Sequence, residues 1–188
     1  MIYRGDMPTP PTILLHTCCG PCATTCTERL GDSGEEPLLF FSNCNIFPRE
    51  EYDLRLEHAR KLAVILGLDL IEDAYDHGAW LSAVAGLEDE PERGLRCQAC
   101  FRFSLSRAAD RADLLGLPAF TTTLTVSRYK SSAQIFEVGR EFSKFAPLDF
   151  KKGNGYERSI DLSRLYGLYR QNFCGCEFSV GGRKGSAG

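Results

Sequence analysis

Four short apolar runs punctuate the chain, and a stretch of mixed apolar and polar character follows each. The runs are Thr12–His16 (TILLH), Leu38–Ser42 (LLFFS), Leu68–Asp73 (LDLIED) and Ala119–Leu124 (AFTTTL). Their length and their aliphatic, aromatic and β-branched content predict strands. The segment after the first run, GPCATTCTERL, starts a helix: Gly20 suits a tight turn, and Pro21 suits a first helical position. A loop, GDSGEEP, leads to the second run. After that run, PREE brings acidic residues into a helix start, and Leu54, Leu62, Ile65 and Leu66 recur at helical spacing until Gly67 closes the helix.

HGAWLSAVAGL predicts a short helix, EDEPERGLR a charged linker, and CQACFRFSLSRAADRADLLGL a long helix. SAQIFEVGREFSKF predicts another helix, PLDF a short strand or extended piece, and DLSRLYGLYRQ a last helix before the glycine-rich end. Strands that alternate with helices imply βαβ units. The expectation is one α/β domain: a doubly wound, mostly parallel sheet with helices on both faces, of the PP-loop/HUP-like kind. It occupies residues 12–179, with an N-terminal extension over 1–11 and a flexible tail over 180–188. Ligands of such folds sit beyond the carboxyl ends of the strands. HTCCGPC directly follows the first strand, and TTTLTVSRYK spans the end of the fourth.

Composition leaves that picture intact. With 188 residues, 43% hydrophobic and 25% charged, the chain is ordinary globular protein. Its apolar runs are far too short for a bilayer span, and the first residues lack a signal-peptide pattern, so the expected location is the cytoplasm with no membrane partner. Nine cysteines change the picture. An odd number cannot all pair within one chain, and a reducing compartment disfavours a disulfide framework. Metal binding and redox chemistry remain. Net charge is −3, yet residues 128–188 hold 11 basic and 6 acidic side chains against 11 and 19 in residues 1–127. A basic C-terminal third can present a phosphate-binding face or merely a scattered solvated surface.

The thiols fall into three clusters: Cys18, Cys19 and Cys22; Cys97 and Cys100, on one face of a helix start; and Cys174 and Cys176 in CGC. Two pairs supply four thiolates, which suit structural zinc or an iron–sulfur cluster. A vicinal pair between strand and helix is unlike a zinc knuckle, which favours a 4Fe–4S cluster on Cys18, Cys19, Cys97 and Cys100. Thiols one glycine apart close only a strained, easily reduced disulfide, which suits an electron relay. They also suit a metal-ligand pair. His16 fits either an acid or a satisfied core histidine. Tyr52 and Arg55, a turn apart, fit a substrate clamp or plain helix stabilisation. Lys151 and Lys152 fit phosphate contact or a solvated turn. Cys26 and Cys44 have no assigned role.

The motifs LLHTCCGPC, FFSNCNIFPREEYDLR, CQACFRFSLSRAA, FTTTLTVSRYKS and DFKKGNGYERSIDLSRLYGLYRQNFCGCEFS, in this order, resemble the epoxyqueuosine reductases of the QueH type. The resemblance runs from about Leu14 to Ser179. It implies the last step of queuosine biosynthesis: reduction of epoxyqueuosine to queuosine at the wobble position of tRNA. It implies a 4Fe–4S cluster on Cys18, Cys19, Cys97 and Cys100, an additional iron for which Cys22 is the candidate ligand, and a redox-active disulfide of Cys174 and Cys176. It implies no cobalamin and a tRNA partner; the electron donor stays open, a ferredoxin- or flavodoxin-like protein being one option. Lys130, Lys151, Lys152, Arg170 and Tyr156 become candidates for substrate contact, and His16 or a lysine the candidate proton donor. Cys44 in NCNI and Arg128 in SRYK depart from the usual pattern.

Other classes stay open at this point. A thiol–disulfide oxidoreductase would use CGC alone, and a zinc-bound tRNA-binding module would need no iron. An ATP-dependent enzyme of the PP-loop type would carry a Ser/Gly-rich phosphate loop where this chain has HTCCGPC, which argues against ATP.

Overall fold

A computed structural model of the protein describes residues 10–181; residues 1–9 of the expected extension and 182–188 of the expected tail lie outside the described residues. Four strands, β1 (Ile13–His16), β2 (Pro37–Phe41), β3 (Leu70–Glu72) and β4 (Ala119–Thr122), form one all-parallel sheet in the order β3-β2-β1-β4. The helices are α1 (Gly20–Asp32), α2 (Arg49–Leu66), α3 (His77–Ala83), α4 (Leu95–Leu114), α5 (Ser132–Gly139), α6 (Gly155–Leu165) and α7 (Glu177–Gly181). A 3-10 turn, Thr123–Val126, extends β4.

The central strand explains its own sequence. All four residues of β1 are buried, because helices cover both faces. Leu14 packs with Leu105 and Ala108 of α4 and with Ile135 of α5. Ile13 and Leu15 pack with Cys22, Cys26 and Leu30 of α1 and with Ala63 of α2. Gly20 lets α1 approach α2 closely: a Cβ there would lie 2.5 Å from the carbonyl oxygen of His58. That approach fixes where α1 begins, and so where the first three thiols sit. The expected α/β class and its parallel, two-faced sheet are what the chain forms.

Three elements differ from the sequence expectation. PLDF forms no strand among the described residues. Instead, Phe120 exchanges backbone hydrogen bonds with Lys144 and Ala146 (3.0 and 2.8 Å), and the chain turns away at Pro147. The helix expected over 132–145 stops at Gly139. The helix expected over 161–171 covers 155–165 instead, because Gly167 adopts a left-handed φ of 59° and redirects the chain. That redirection carries Tyr169–Cys176 back across the carboxyl ends of the strands.

Candidate active site

The chain leaves β1 through Thr17, whose N–H still donates to Phe40 O at 2.8 Å. The Cys18 N–H then donates to Thr123 Oγ1 at 2.9 Å, and Thr123 Oγ1 donates to Cys18 Sγ at 3.2 Å. The end of β4 thus pins the thiol turn. Cys19 is the N-cap of α1 in extended backbone, and Cys22 follows one turn later. The Sγ atoms of Cys18, Cys19 and Cys22 all lie within 4.8 Å of one another. Cys18 and Cys19 hydrogen-bond at 3.8 Å, and Gln171 Nε2 donates to Cys19 Sγ at 3.0 Å. Hydrogen bonds from Cys18 and Cys22, against burial, hold Cys19 well below the usual thiol range; the bond to Cys19, with burial adding and Cys22 opposing, raises Cys18, and the bonds to Cys18 and Cys19, with burial, raise Cys22.

Cys18 and Cys22 open onto a cavity of about 500 Å³. Cys97 and Cys100, in the first turns of α4, and Cys174 and Cys176 line the same cavity. Three clusters far apart in sequence therefore meet at one place. Burial raises both Cys97 and Cys100. The Arg93 N–H donates to Cys97 Sγ at 3.3 Å.

CGC is held by its backbone. Arg55, on α2, is buried with its guanidinium paired to Glu51 at 2.6 Å. It donates to Cys174 O at 3.0 Å and to Phe173 O at 3.4 Å. The Phe47 N–H donates to Gly175 O at 2.9 Å. Gly175 has φ 114°, and a Cβ there would lie 2.8 Å from Arg55 Nη1, so glycine alone fits. All nine cysteines are free thiols, Cys174 and Cys176 included. The Cys176 thiol hydrogen-bonds to Cys174 and, with burial opposing and Lys130 assisting, lowers Cys174 well below the usual thiol range; the same bond, with burial, raises Cys176.

The remaining expected residues fall as follows. Lys130 points inward, with Nζ 3.0 Å from Cys174 Sγ, rather than out towards a phosphate. Lys151 Nζ donates to Lys130 O at 2.6 Å, while Lys152 is exposed. Tyr156, half-buried at the cavity wall, lies between the guanidinium groups of Arg128 (4.9 Å) and Arg170 (5.1 Å). Outside that set, Arg158, exposed on α6, pairs with Glu28. Tyr52 packs between Phe41 and Tyr75 in the core. His16 uses both ring nitrogens. Nε2–H must donate to Ser42 O (3.0 Å), so Nδ1 accepts from the Thr122 hydroxyl (2.8 Å). Burial lowers its pKa to about 4. It is a satisfied neutral histidine that ties together the ends of β1, β2 and β4.

The donor chemistry suits a soft metal group. Five buried side-chain atoms lack a hydrogen-bond partner among the described residues, and four of them belong to residues lining this cavity: Trp80 Nε1, Arg96 Nε, Gln134 Oε1 and Gln171 Oε1. The spacing of Cys18, Cys19 and Cys22 matches the sulfurs about a single ion. Including Cys97 and Cys100 calls for a larger, multi-atom group.

The sequence profile described as "Epoxyqueuosine reductase QueH" matches residues 13–181 of this chain. The chain belongs to this family. It is 36% identical over 174 residues to the protein named epoxyqueuosine reductase QueH of Histophilus somni, covering 89% of this chain and 72% of that one. It is 36% identical over 181 residues to the one of Streptococcus pyogenes (90% and 71%), and 35% identical over 177 residues to the one of Thermotoga maritima (90% of each). The QueH match therefore spans every element from β1 to α7, including all three cysteine clusters. No helix among the described residues is long and apolar enough to cross a membrane.

Sequence reasoning missed several groups at this QueH-family site. Trp80 and Arg96 carry no motif that marks them. Thr123 and Gln171 stand inside the quoted motifs without a role, and Lys130 was expected to contact substrate; direction decides their roles, and direction is a tertiary property. For Arg55 the sequence left two readings, a substrate clamp or helix stabilisation; the structure pairs it with Glu51 one turn away and adds a third contact, to the backbone of the CGC turn.

Proposed function

We propose that this protein reduces the epoxide of epoxyqueuosine, at the wobble position of tRNA, to the alkene of queuosine. In this reading Cys18, Cys19, Cys97 and Cys100 hold a 4Fe–4S cluster, Cys22 serves an additional iron, and Cys174 and Cys176 form the redox pair. The observation that carries it is the convergence of three cysteine clusters on one cavity. A cluster bound there supplies one-electron transfer and a Lewis-acidic iron.

The chain's own residues supply the rest. Conversion of an epoxide to an alkene and water takes two electrons and two protons, and oxidation of one dithiol to a disulfide releases that number of each. Arg55 and Phe47 fix the backbone of CGC, so the sulfurs stay at the cavity wall while they change oxidation state. Substrate entry uses the Tyr156 edge of the cavity. A wobble nucleotide must leave its stack to reach buried thiols, and guanidinium and aromatic planes such as Arg128, Tyr129, Tyr156 and Arg170 offer stacking surfaces. Lys152 and Arg128 are exposed cations suited to phosphate. The reading places the enzyme in the cytoplasm with its tRNA, and it draws electrons from a ferredoxin-type or flavodoxin-type donor. It calls on no ATP, because the first βα turn carries thiols instead of a phosphate loop, and, following the family resemblance, on no cobalamin.

The test is anaerobic incubation of the iron-loaded protein with tRNA that carries epoxyqueuosine, followed by nucleoside mass spectrometry. Queuosine formation without added cobalamin supports the reading. Unchanged epoxyqueuosine, in the presence of bound iron and a strong reductant, refutes it. Iron and sulfide analysis of the same sample separates the enzyme from a zinc-bound tRNA-binding module.

A further inference from the structure

Lys130 stands apart from the other basic side chains. Among the described residues it is the one lysine that lines the cavity, and its Nζ lies 3.0 Å from Cys174 Sγ. Both ends of this contact are anchored by backbone. Lys151 Nζ holds Lys130 O at 2.6 Å, and Arg55 holds Cys174 O at 3.0 Å. The neighbour that most favours the Lys130 charge is the sulfur of Cys174. A buried ammonium without an opposite charge is strongly disfavoured, so the contact calls for Cys174 to be a thiolate. Burial lowers Lys130, and Cys174 more than offsets that, which agrees with the geometry. Cys176 is more deeply buried than Cys174, within an apolar group that contains Trp80 and Phe178.

We propose that Lys130 is a catalytic residue that makes Cys174 the charged sulfur of the CGC pair and gives up one of the two protons that leave with the epoxide oxygen. This inference rests on the functional reading above. The balance closes without a further reactant. The thiolate of Cys174 and the thiol of Cys176 form an S–S bond and release two electrons; both carbon–oxygen bonds of the epoxide break, and the alkene forms. The Cys176 proton and the Lys130 proton leave with the oxygen as water. Lys130 is then a neutral amine beside a disulfide. It regains its proton when an external reductant returns two electrons to the pair. His16, the other nitrogen acid considered, has both ring nitrogens engaged and no proton free for the cavity.

Two variants separate charge from proton. Lys130→Met removes both, and Lys130→Arg keeps a charge that does not leave. Anaerobically prepared, iron-loaded, reduced protein is treated with iodoacetamide at neutral pH, and the peptide containing Cys174 is followed by mass spectrometry. Labelling of Cys174 should slow about tenfold or more in Lys130→Met and stay within about threefold of the parent in Lys130→Arg, since the thiolate is the nucleophile. Single-turnover conversion of epoxyqueuosine tRNA should fall roughly a hundredfold or more in both, the scale of a lost general acid. Parent-rate labelling in Lys130→Met overturns the charge assignment, and parent-rate conversion in Lys130→Arg overturns the proton assignment. If Lys130→Met does not fold by circular dichroism, Lys130→Gln takes its place. Labelling needs no substrate, so a parent that labels as expected but converts no tRNA overturns the functional reading and the proton assignment while the charge assignment stands.

Discussion

Replacing Gly175 by Ala should damage the CGC turn through two separable terms. The φ of 114° is a conformation that side chains other than glycine rarely adopt, and holding it costs about 1–3 kcal/mol. The new Cβ would also lie 2.8 Å from Arg55 Nη1 and 3.2 Å from its Cζ. Arg55 cannot yield freely, because it is buried and paired with Glu51 at 2.6 Å, and Glu51 also accepts from the Tyr169 hydroxyl at 3.1 Å. The least costly response is loss of the Arg55 bond to Cys174 O, a charged hydrogen bond worth about 1.5–3 kcal/mol. Together the terms reach about 2.5–6 kcal/mol. Even the lower end corresponds to a melting temperature lower by roughly 5–10 °C for a chain of this size. Thermal unfolding followed by circular dichroism measures this. A double-mutant cycle with Arg55→Ala tests the cause. In that background Gly175→Ala should show only the backbone strain, leaving a coupling of about 1 kcal/mol or more. A Gly175→Ala protein that melts within a degree of the parent, or whose effect adds fully to that of Arg55→Ala, refutes the assigned contact.

Other outcomes follow from the same geometry. Cys97→Ser or Cys100→Ser should strip most of the bound iron, measured colorimetrically, whereas Cys174→Ser and Cys176→Ser should keep iron and lose conversion; unchanged iron in Cys97→Ser and Cys100→Ser moves the ligand set elsewhere. His16→Ala should destabilise the fold by about 2–4 kcal/mol in urea unfolding, because it leaves the buried Ser42 carbonyl without its donor and opens a cavity. A stable His16→Ala protein that has lost conversion alone would return His16 to the chemistry. Arg128→Ala and Lys152→Ala should each reduce the slope of log tRNA affinity against log salt by roughly one unit in filter binding, with iron content unchanged; parent slopes place the tRNA on another face.

Much of the fold was legible because its signals are local. The four apolar runs mark the four strands, and Pro21, Gly67 and the acidic start of α2 mark helix ends through backbone geometry and the helix dipole. Of the boundaries that differ, the one at Gly167 is where a left-handed glycine overrides apolar spacing, and α5 ends at Gly139, where a Cβ would collide with the Phe145 ring. For the site, the turn between β1 and α1 was legible from the rule that ligands sit at carboxyl strand ends. The meeting of CGC with that turn was not, because Cys19 and Gln171 lie 152 positions apart and touch only after the chain reverses at Gly167. His16 and Lys130 show the same limit in opposite directions. The histidine beside the thiols is spent on Ser42 and Thr122, while a lysine from the basic third turns inward to sulfur. Neither direction is encoded in spacing; both follow from which neighbours the fold supplies.

The central claim is that three cysteine clusters act as one reducing site. It is tested most directly by a single turnover with no external reductant. Iron-loaded protein, reduced and then freed of reductant anaerobically, is mixed with excess tRNA carrying epoxyqueuosine. The digested nucleosides and the thiol state of the CGC peptide are then read by mass spectrometry. The account predicts about one queuosine per chain and a matching Cys174–Cys176 disulfide. Bound tRNA and intact iron with no queuosine, or queuosine with both CGC thiols still free, would contradict it.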